Sequence, residues 1–335
     1  MKIVIAGGSG FLGRPLAAAL TADGHDVVTL TRVATATRGA NRGAMGSASH
    51  SAMASANRSA MASADRSAKA LPERSVAWTP DGSTGPWASE IDAAGAVVNL
   101  AGESIAGSRW TAAHKRRILD SRVQATRSLV AAIRGAATPP RVFVSGSAVG
   151  YYGPLGDEIA TEDTRPGSDF LAGVCVQWEA EAARAASDRT RVVCIRTGLV
   201  LERDGGALPE MLPPFRFGAG GPVGSGQQYW PWIHRADWIA LVQLALQTPD
   251  ASGAFNATAP NPVTNKDFAR ALGRAVHRPA FMPAPAFALR IMLGEMADAL
   301  LLSGQRAVPA RAERLGFRFR YPRLDEALDA LFGHA

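Results

Sequence analysis

Cysteine is nearly absent. Cys175 and Cys194 are the only two, far apart and outside any CxxC or Cys/His ligand spacing. That argues against a structural metal and for a reducing compartment. Long hydrophobic runs are also missing. The apolar start is broken by glycine too early for a secretory signal. Phe281 to Leu302 is the most apolar later stretch, but Arg290, Glu295 and Asp298 interrupt it. The expectation there is a packed amphipathic helix, not a membrane span. Acidic residues are the scarcer charge: 29 Asp and Glu face 36 Lys and Arg, a net charge of +7. The arginines are scattered rather than clustered and no nucleic-acid signature accompanies them, so their expected partners are phosphates of a small ligand. The sequence thus reads as a cytoplasmic protein with neither a membrane nor a nucleic-acid partner.

What is present is apolar bulk, 47% of 335 residues, enough for one large domain or two lobes. The most informative stretch is the first. Lys2 to Ala6 is a β-rich apolar run, followed by Gly7-Gly8-Ser9-Gly10-Phe11-Leu12-Gly13 and a helix from Pro15. Three spaced glycines between a strand and a helix form a tight turn whose backbone N–H groups can reach a pyrophosphate. The helix N-terminus adds partial positive charge there. This is the context in which such a triplet signals a dinucleotide.

Asp26 to Thr31 reads as the second strand. Its tip carries Arg32 in place of the acidic residue that would favour a free ribose hydroxyl, so NADP(H) is expected over NAD(H). From Ala34 to Ala70 the composition collapses to Ala, Ser, Arg, Gly and Met with an internal repeat, expected to be a mobile insertion. Further strands are expected at Val76 to Trp78, Ala96 to Gly102, Arg141 to Ser145 and, as the sixth, Arg191 to Thr197. Asn99, Ala101 and Gly102 end one of these and become candidate cofactor neighbours. Ser145 and Ser147 lie at the tip of the next, followed by the turn Gly146 to Gly153. Helices are expected at Thr111 to Ile133, Asp169 to Ala186, Asn265 to Val276, Ala286 to Leu301 and Leu324 to Phe332. Asp237 is expected to cap a helix through Leu246, with His234 packed beside it or lining the pocket.

With these motifs in register, the chain resembles the extended short-chain dehydrogenase/reductases, the NAD(P)-dependent epimerase/dehydratase superfamily. The narrower resemblance is to its "epimerase family protein" branch, also called nucleoside-diphosphate-sugar epimerase-like. Asn99 to Gly102, Ser121-Arg122, Phe170-Leu171-Ala172, Trp178-Glu179, Arg196-Thr197-Gly198 and Gly220-Gly221-Pro222 through His234 carry it. Pro260 to Phe332 is similar to a domain of unknown function that accompanies the branch. The resemblance covers all but Ala34 to Ala70. It implies a Rossmann-type, doubly wound parallel α/β sheet over residues 1–198 and a smaller, mainly helical substrate lobe over 199–335. It also implies a monomer or a homodimer paired through the helices at 111–133 and 169–186.

The resemblance further implies a serine, then a Tyr and Lys spaced as YxxxK on the following helix, as the acid/base group. Ser147 matches the first. Phe170 and Val174 stand where Tyr and Lys belong, and one register along are Leu171 and Cys175. None of these four restores the pair. Ser147 is therefore the leading catalytic candidate, with Tyr151, Tyr152, Glu103 and His234 as the other groups near the crevice. Cofactor contacts are expected from Gly7, Gly10, Phe11, Leu12, Gly13, Arg32, Asn99, Ala101, Gly102 and Ser145. Three readings stand: an NADP(H)-dependent oxidoreductase or epimerase with a relocated acid/base, a non-catalytic NADP(H) sensor, and a structural or interaction protein.

Overall fold

The computed structural model describes residues 1–32 and 74–333; the Ala34 to Ala70 insertion lies outside them. Seven strands form one parallel sheet: β1 Lys2–Ala6, β2 Asp26–Thr31, β3 Ser75–Ala77, β4 Ala96–Asn99, β5 Val142–Ala148, β6 Arg191–Thr197 and β7 Gly253–Ala257. Their spatial order is β7-β6-β5-β4-β1-β2-β3. The chain starts mid-sheet, builds outward to β3, then returns to the other side of β1. The crevice opens between β1 and β4, where that reversal occurs.

Strand alternation sends Ile3 and Ile5 to one face and Val4 and Ala6 to the other. The first face is covered by α1 (Gly13–Ala22) and, further along the chain, the helix Arg235–Gln247. Leu16, Leu20, Trp238, Leu241 and Val242 are buried there. The second is covered by α2 (Ala112–Gly135) and α3 (Phe170–Ala183), with Ala125, Leu129, Ile133 and Ala182 in its core. Burial on both faces is what a parallel strand requires. Each large side chain there contributes about 2 kcal/mol by leaving water, so Leu129→Ala should cost about 2–5 kcal/mol.

A third apolar core belongs to the C-terminal lobe. It packs α4 (Leu208–Arg216), α6 (Asn265–Ala275) and the last helix, α8 (Leu324–Phe332), around Trp230, Trp232 and Phe268. Between these lie α5 (Arg235–Gln247), which covers the sheet, and α7 (Ala286–Leu293). The sheet takes residues from both sides of position 198: α5 and β7 follow it in sequence but complete the parallel layer.

The structure differs from the sequence expectations at five places. β7 was not expected, since Gly253-Ala254-Phe255-Asn256-Ala257 has little β-branched character; pairing with β6 forms it. β4 ends at Asn99 instead of Gly102, because the Asn99 side chain turns the chain. β5 runs to Ala148, held by pairing with β6 from Val142↔Arg191 to Ala148↔Thr197. Ser147 is thereby a ladder residue and not part of a loose turn. The stretch Ala286 to Leu301 is not one packed helix. Gly294, at φ +63°, ends α7, and a short turn and a π-type turn follow. No residue of α7 is buried, and Phe287, Ile291 and Met292 stand about two-thirds exposed. Finally, His234 caps α5 by accepting from the Ala236 N–H at 3.1 Å, while Asp237 accepts from the N–H groups of Arg320 and Tyr321. The cap is thus His234 and not Asp237, while His234 is also packed, as expected. No described helix is long and apolar enough to cross a membrane.

Candidate active site

The crevice begins at the glycine turn. Gly7 has φ +78°, and a Cβ there would lie 2.7 Å from the Leu100 carbonyl carbon and 2.8 Å from the Ala101 nitrogen. The left-handed backbone and the close approach of the two chain segments together demand glycine. Gly13 is held by contact rather than by dihedral, since its Cβ would meet the Gly7 carbonyl oxygen at 2.4 Å. That seats α1 directly on the turn. Gly10 is less constrained: its amide donates to the Gly7 carbonyl at 3.0 Å, and a Cβ would meet only that same oxygen, at 3.3 Å. Gly8 fits because the Thr29 side chain fills the space a Cβ would need.

One feature fits this turn to a pyrophosphate. The side chains of Thr111, Asp169, His234 and Thr264 cap α2, α3, α5 and α6, while α4, α7 and α8, like α1, have no side-chain cap; what sets α1 apart is that its open N-terminus follows the glycine turn. At α1, Leu12 occupies the capping position and supplies no oxygen. Helix N-termini leave N–H donors that need an acceptor, and the dipole there favours an anion. Phe11 closes the turn from the lobe side, its ring in the space that Cβ atoms on Gly205 and Gly206 would fill. Arg32 is exposed at the tip of β2, and the strand's own tip residues Leu30 and Thr31 carry no acid. The residues present therefore fit a dinucleotide, with Gly7 to Gly13 toward its phosphates and Arg32 toward its adenosine end.

Asn99, Ala101 and Gly102 form the facing wall. Asn99 is fully buried, donating to Thr126 at 2.9 Å and accepting from the Ala101 N–H at 3.1 Å. Its side chain shapes the wall from inside. Gly102 leaves room for the Arg122 side chain, whose guanidinium donates to the Glu103 carbonyl and lies 5.3 Å from the Trp178 ring.

At the tip of β5 the chemistry changes from backbone to side chains. Ser147 Oγ donates to Glu179 Oε1 at 2.6 Å. Glu179 also accepts two parallel bonds from Arg196, Nε to Oε1 and Nη2 to Oε2, each 2.8 Å. Arg196 Nη1 donates to the Tyr152 hydroxyl at 3.0 Å, which donates to Asn256 Oδ1 at 2.6 Å. Its guanidinium lies 3.4 Å from the Tyr151 ring centroid. Burial opposes the Arg196 charge, but Glu179 and Tyr152 outweigh it and hold the guanidinium protonated. This is a bidentate, largely dry ion pair. Beneath it, buried Glu162 accepts from the Asn256 and Arg311 N–H groups, tying the network to the C-terminal lobe.

Of the other candidates, Tyr151 and Tyr152 join this cluster, and Glu103 and His234 lie apart from it. Tyr152 is fully buried, its hydroxyl is bonded to Arg196 and Asn256, and burial pushes its phenol up to about 12. Tyr151 supplies the face over which Arg196 sits. Glu103 is part-exposed and lies 3.5 Å from Arg117. His234 caps α5 and stacks 4.1 Å from the Tyr321 ring. Neither Glu103 nor His234 has a hydrogen bond to Ser147 among the described residues. Ser145 is buried and turns its hydroxyl onto the Gly146 carbonyl. Phe170 packs edge-on against Trp110, with the Lys115 ammonium 4.9 Å over its ring. Val174 is buried, so the helix that would carry a Tyr and Lys carries packing at both positions. Glu179 and Arg196 were not among the expected site residues. Their signal was a charged side chain at the end of the apolar strand Val192-Val193-Cys194-Ile195-Arg196, which cannot be buried unpaired.

Residues 3–258 match the NAD dependent epimerase/dehydratase family, and residues 284–331 match a domain of unknown function, DUF1731. The second match is narrower than the expected Pro260 to Phe332. The chain is 38% identical over 328 residues to epimerase family protein Mb2239 of Mycobacterium bovis, covering 97% of this chain and 96% of that one. It superimposes on the human epimerase family protein SDR39U1 (isoform 2) solved with NADPH, with a TM-score of 0.83, 32% identity and full coverage of both chains. A nucleoside-diphosphate sugar epimerase from Corynebacterium glutamicum gives a TM-score of 0.73 at 30% identity, covering 99% of this chain and 58% of that one.

Proposed function

The chain belongs to the NAD dependent epimerase/dehydratase family, and from that premise we propose that it is an NADP(H)-binding oxidoreductase or epimerase. Its substrate is a carbonyl or sugar-nucleotide-like small molecule, and it works without the Tyr/Lys pair. The observation that carries the reading is the uncapped glycine turn at the point where the strand order reverses. The similarity to a human protein solved with NADPH supports the choice of cofactor, as does Arg32 at the β2 tip. NAD(H) remains the weaker ligand on this reading. The cofactor supplies the hydride chemistry when bound.

The chain's own part is to bind, orient and exclude water. Gly7 to Gly13 receive the phosphates, the wall from Asn99 to Gly102 fixes the width of the crevice, and Ser147 presents its oxygen at the tip of β5. The protein acts as a monomer or as a homodimer through α2 and α3, in the cytoplasm. One observation favours a second reading. Phe170 and Val174 at the Tyr and Lys positions are also what a cofactor-sensing module without turnover would carry.

The test is a fluorescence titration with NADPH and NADH, followed by a nicotinamide-oxidation screen over sugar nucleotides and carbonyl compounds. NADPH-selective binding with turnover supports the enzyme. Binding with no turnover across the screen supports the sensor, and no binding of either nucleotide overturns both.

A further inference from the structure

We infer that Ser147, Glu179 and Arg196 form the proton-handling group of this site: Ser147 meets the substrate oxygen, Glu179 takes the Ser147 proton, and Arg196 holds Glu179 in place. The inference rests on the hydride-transfer reading above.

The geometry singles out this group. Ser147 is the penultimate residue of β5, and its ladder pairing with Arg196 on β6 brings the Arg196 side chain alongside. Its hydroxyl proton is committed to a carboxylate at 2.6 Å. The oxygen then has lone pairs left and no proton to give, so toward a group that reaches it Ser147, itself 5% exposed, is an acceptor. A serine that only oriented a substrate carbonyl would need its proton free. Here the hydroxyl is arranged to receive a proton and pass its own back. Arg196 grips both Glu179 oxygens, and its Nη1 donates to the Tyr152 hydroxyl and to the Glu162 carbonyl. The carboxylate therefore has one geometry, with Oε1 shared between Ser147 and Arg196. The Glu179 side chain keeps about 15% exposure against 5% for Arg196, a route for the proton to water.

The other neighbour of Ser147 cannot do this work. Burial pushes the Cys175 thiol up to about 11, so it is neutral near pH 7. In the oxidising direction, the substrate hydroxyl proton moves to Ser147 Oγ while the Ser147 proton moves to Glu179. With the cofactor bound, hydride would leave the C–H carbon with its electron pair, so that the substrate would become a carbonyl and Glu179 would be left protonated. Glu179 then returns its proton to solvent. Reduction runs through the same transfers reversed.

The test uses the full chain with S147A, E179Q and E179D variants. NADPH titration comes first; if the wild type binds no NADPH, it is the cofactor reading that fails. The Ser147 hydroxyl proton, in so short a bond to a carboxylate, should give a downfield proton NMR resonance that S147A and E179Q both lack. Saturating NADP+ should shift that resonance in the wild type, whereas a hydrogen bond serving only the core would stay put. Reduction of 9,10-phenanthrenequinone by bound NADPH should fall about 100-fold in S147A and E179Q, as removal of an acid/base group does. E179D should recover part of the rate. A resonance indifferent to bound NADP+, or an E179Q enzyme as fast as the wild type, would overturn the inference. A wild type that binds NADPH, moves the resonance and leaves the quinone untouched would also overturn it, because the group would then reach the cofactor without transferring a proton.

Discussion

The two ends of the crevice are built from different materials. At the phosphate end, the turn from Gly7 to Gly13 works through main chain: a left-handed glycine, a helix seated against a carbonyl, and a helix start without a cap. At the β5 end, four side chains from β5, α3, β6 and the turn at Tyr152 meet in one hydrogen-bonded chain. A main-chain site depends on a few adjacent residues and tolerates little at each of them. A side-chain site depends on distant residues meeting, and it fails by leaving a charge without its partner. The contrast assigns binding to one end and proton chemistry to the other.

The sharpest way to break the comparison is at Arg196. Arg196→Met leaves the Glu179 carboxylate in a mostly dry site without its cation, which should cost about 3–5 kcal/mol of stability. Urea denaturation checks it, and adding Glu179→Gln should restore much of the loss, because no unpaired charge then remains. A double mutant as unstable as Arg196→Met would mean that packing over Tyr151, not charge pairing, dominates.

At the other end, Gly7→Ala puts a Cβ into the Leu100–Ala101 backbone at a positive φ. The expected cost is about 1–3 kcal/mol, with NADPH binding lost in a protein that still folds. Circular dichroism and the fluorescence titration read the two effects separately.

Arg32→Ala sharpens the cofactor assignment. Losing a charge-assisted contact to a phosphate is worth about 1.5–3 kcal/mol, so NADPH affinity should fall at least tenfold while NADH affinity holds. Equal losses for both would remove the 2′-phosphate role.

The smallest effect lies outside both ends. Burial holds the His234 imidazole below its ordinary pKa of 6.5, against Asp237 and with Arg235 and Arg320 on the opposing side. The unfolded chain then binds the proton more readily. Stability from this residue is complete above pH 6.5 and declines as the pH falls below it, since a protonated Nδ1 cannot accept from Ala236. His234→Asn keeps a capping oxygen without the titration. Thermal unfolding at pH 7.5 and 5.5 should show a pH-dependent loss smaller in the variant by up to about 1 kcal/mol.

How much was legible in the sequence follows the same division. The turn was readable because its determinants are neighbours in sequence, and each glycine's spacing states a backbone need. At Gly7 the structure adds a need that spacing does not state: it clears the backbone of Leu100 and Ala101 just after β4. β7 was not readable, because Gly253 to Ala257 becomes a strand only by pairing with β6. The Ser147 cluster was half readable. Ser147 was named from the strand tip and the resemblance, but the residues it meets lie 32 and 49 positions further on, and only the register of β5 against β6 and the α3 packing bring them together. His234 and Asp237 were found as a pair and His234 was expected to be packed, as it is, but the cap was given to Asp237, since spacing alone does not say which side chain turns back onto the helix.

The most direct test of the division is the NADPH affinity of Gly7→Ala and Glu179→Gln measured side by side with the wild type. The account predicts that Gly7→Ala loses binding, while Glu179→Gln keeps it within about threefold, a difference under 1 kcal/mol. Loss of binding in Glu179→Gln with Gly7→Ala unaffected would contradict it, because binding would then reside at the end assigned to proton transfer.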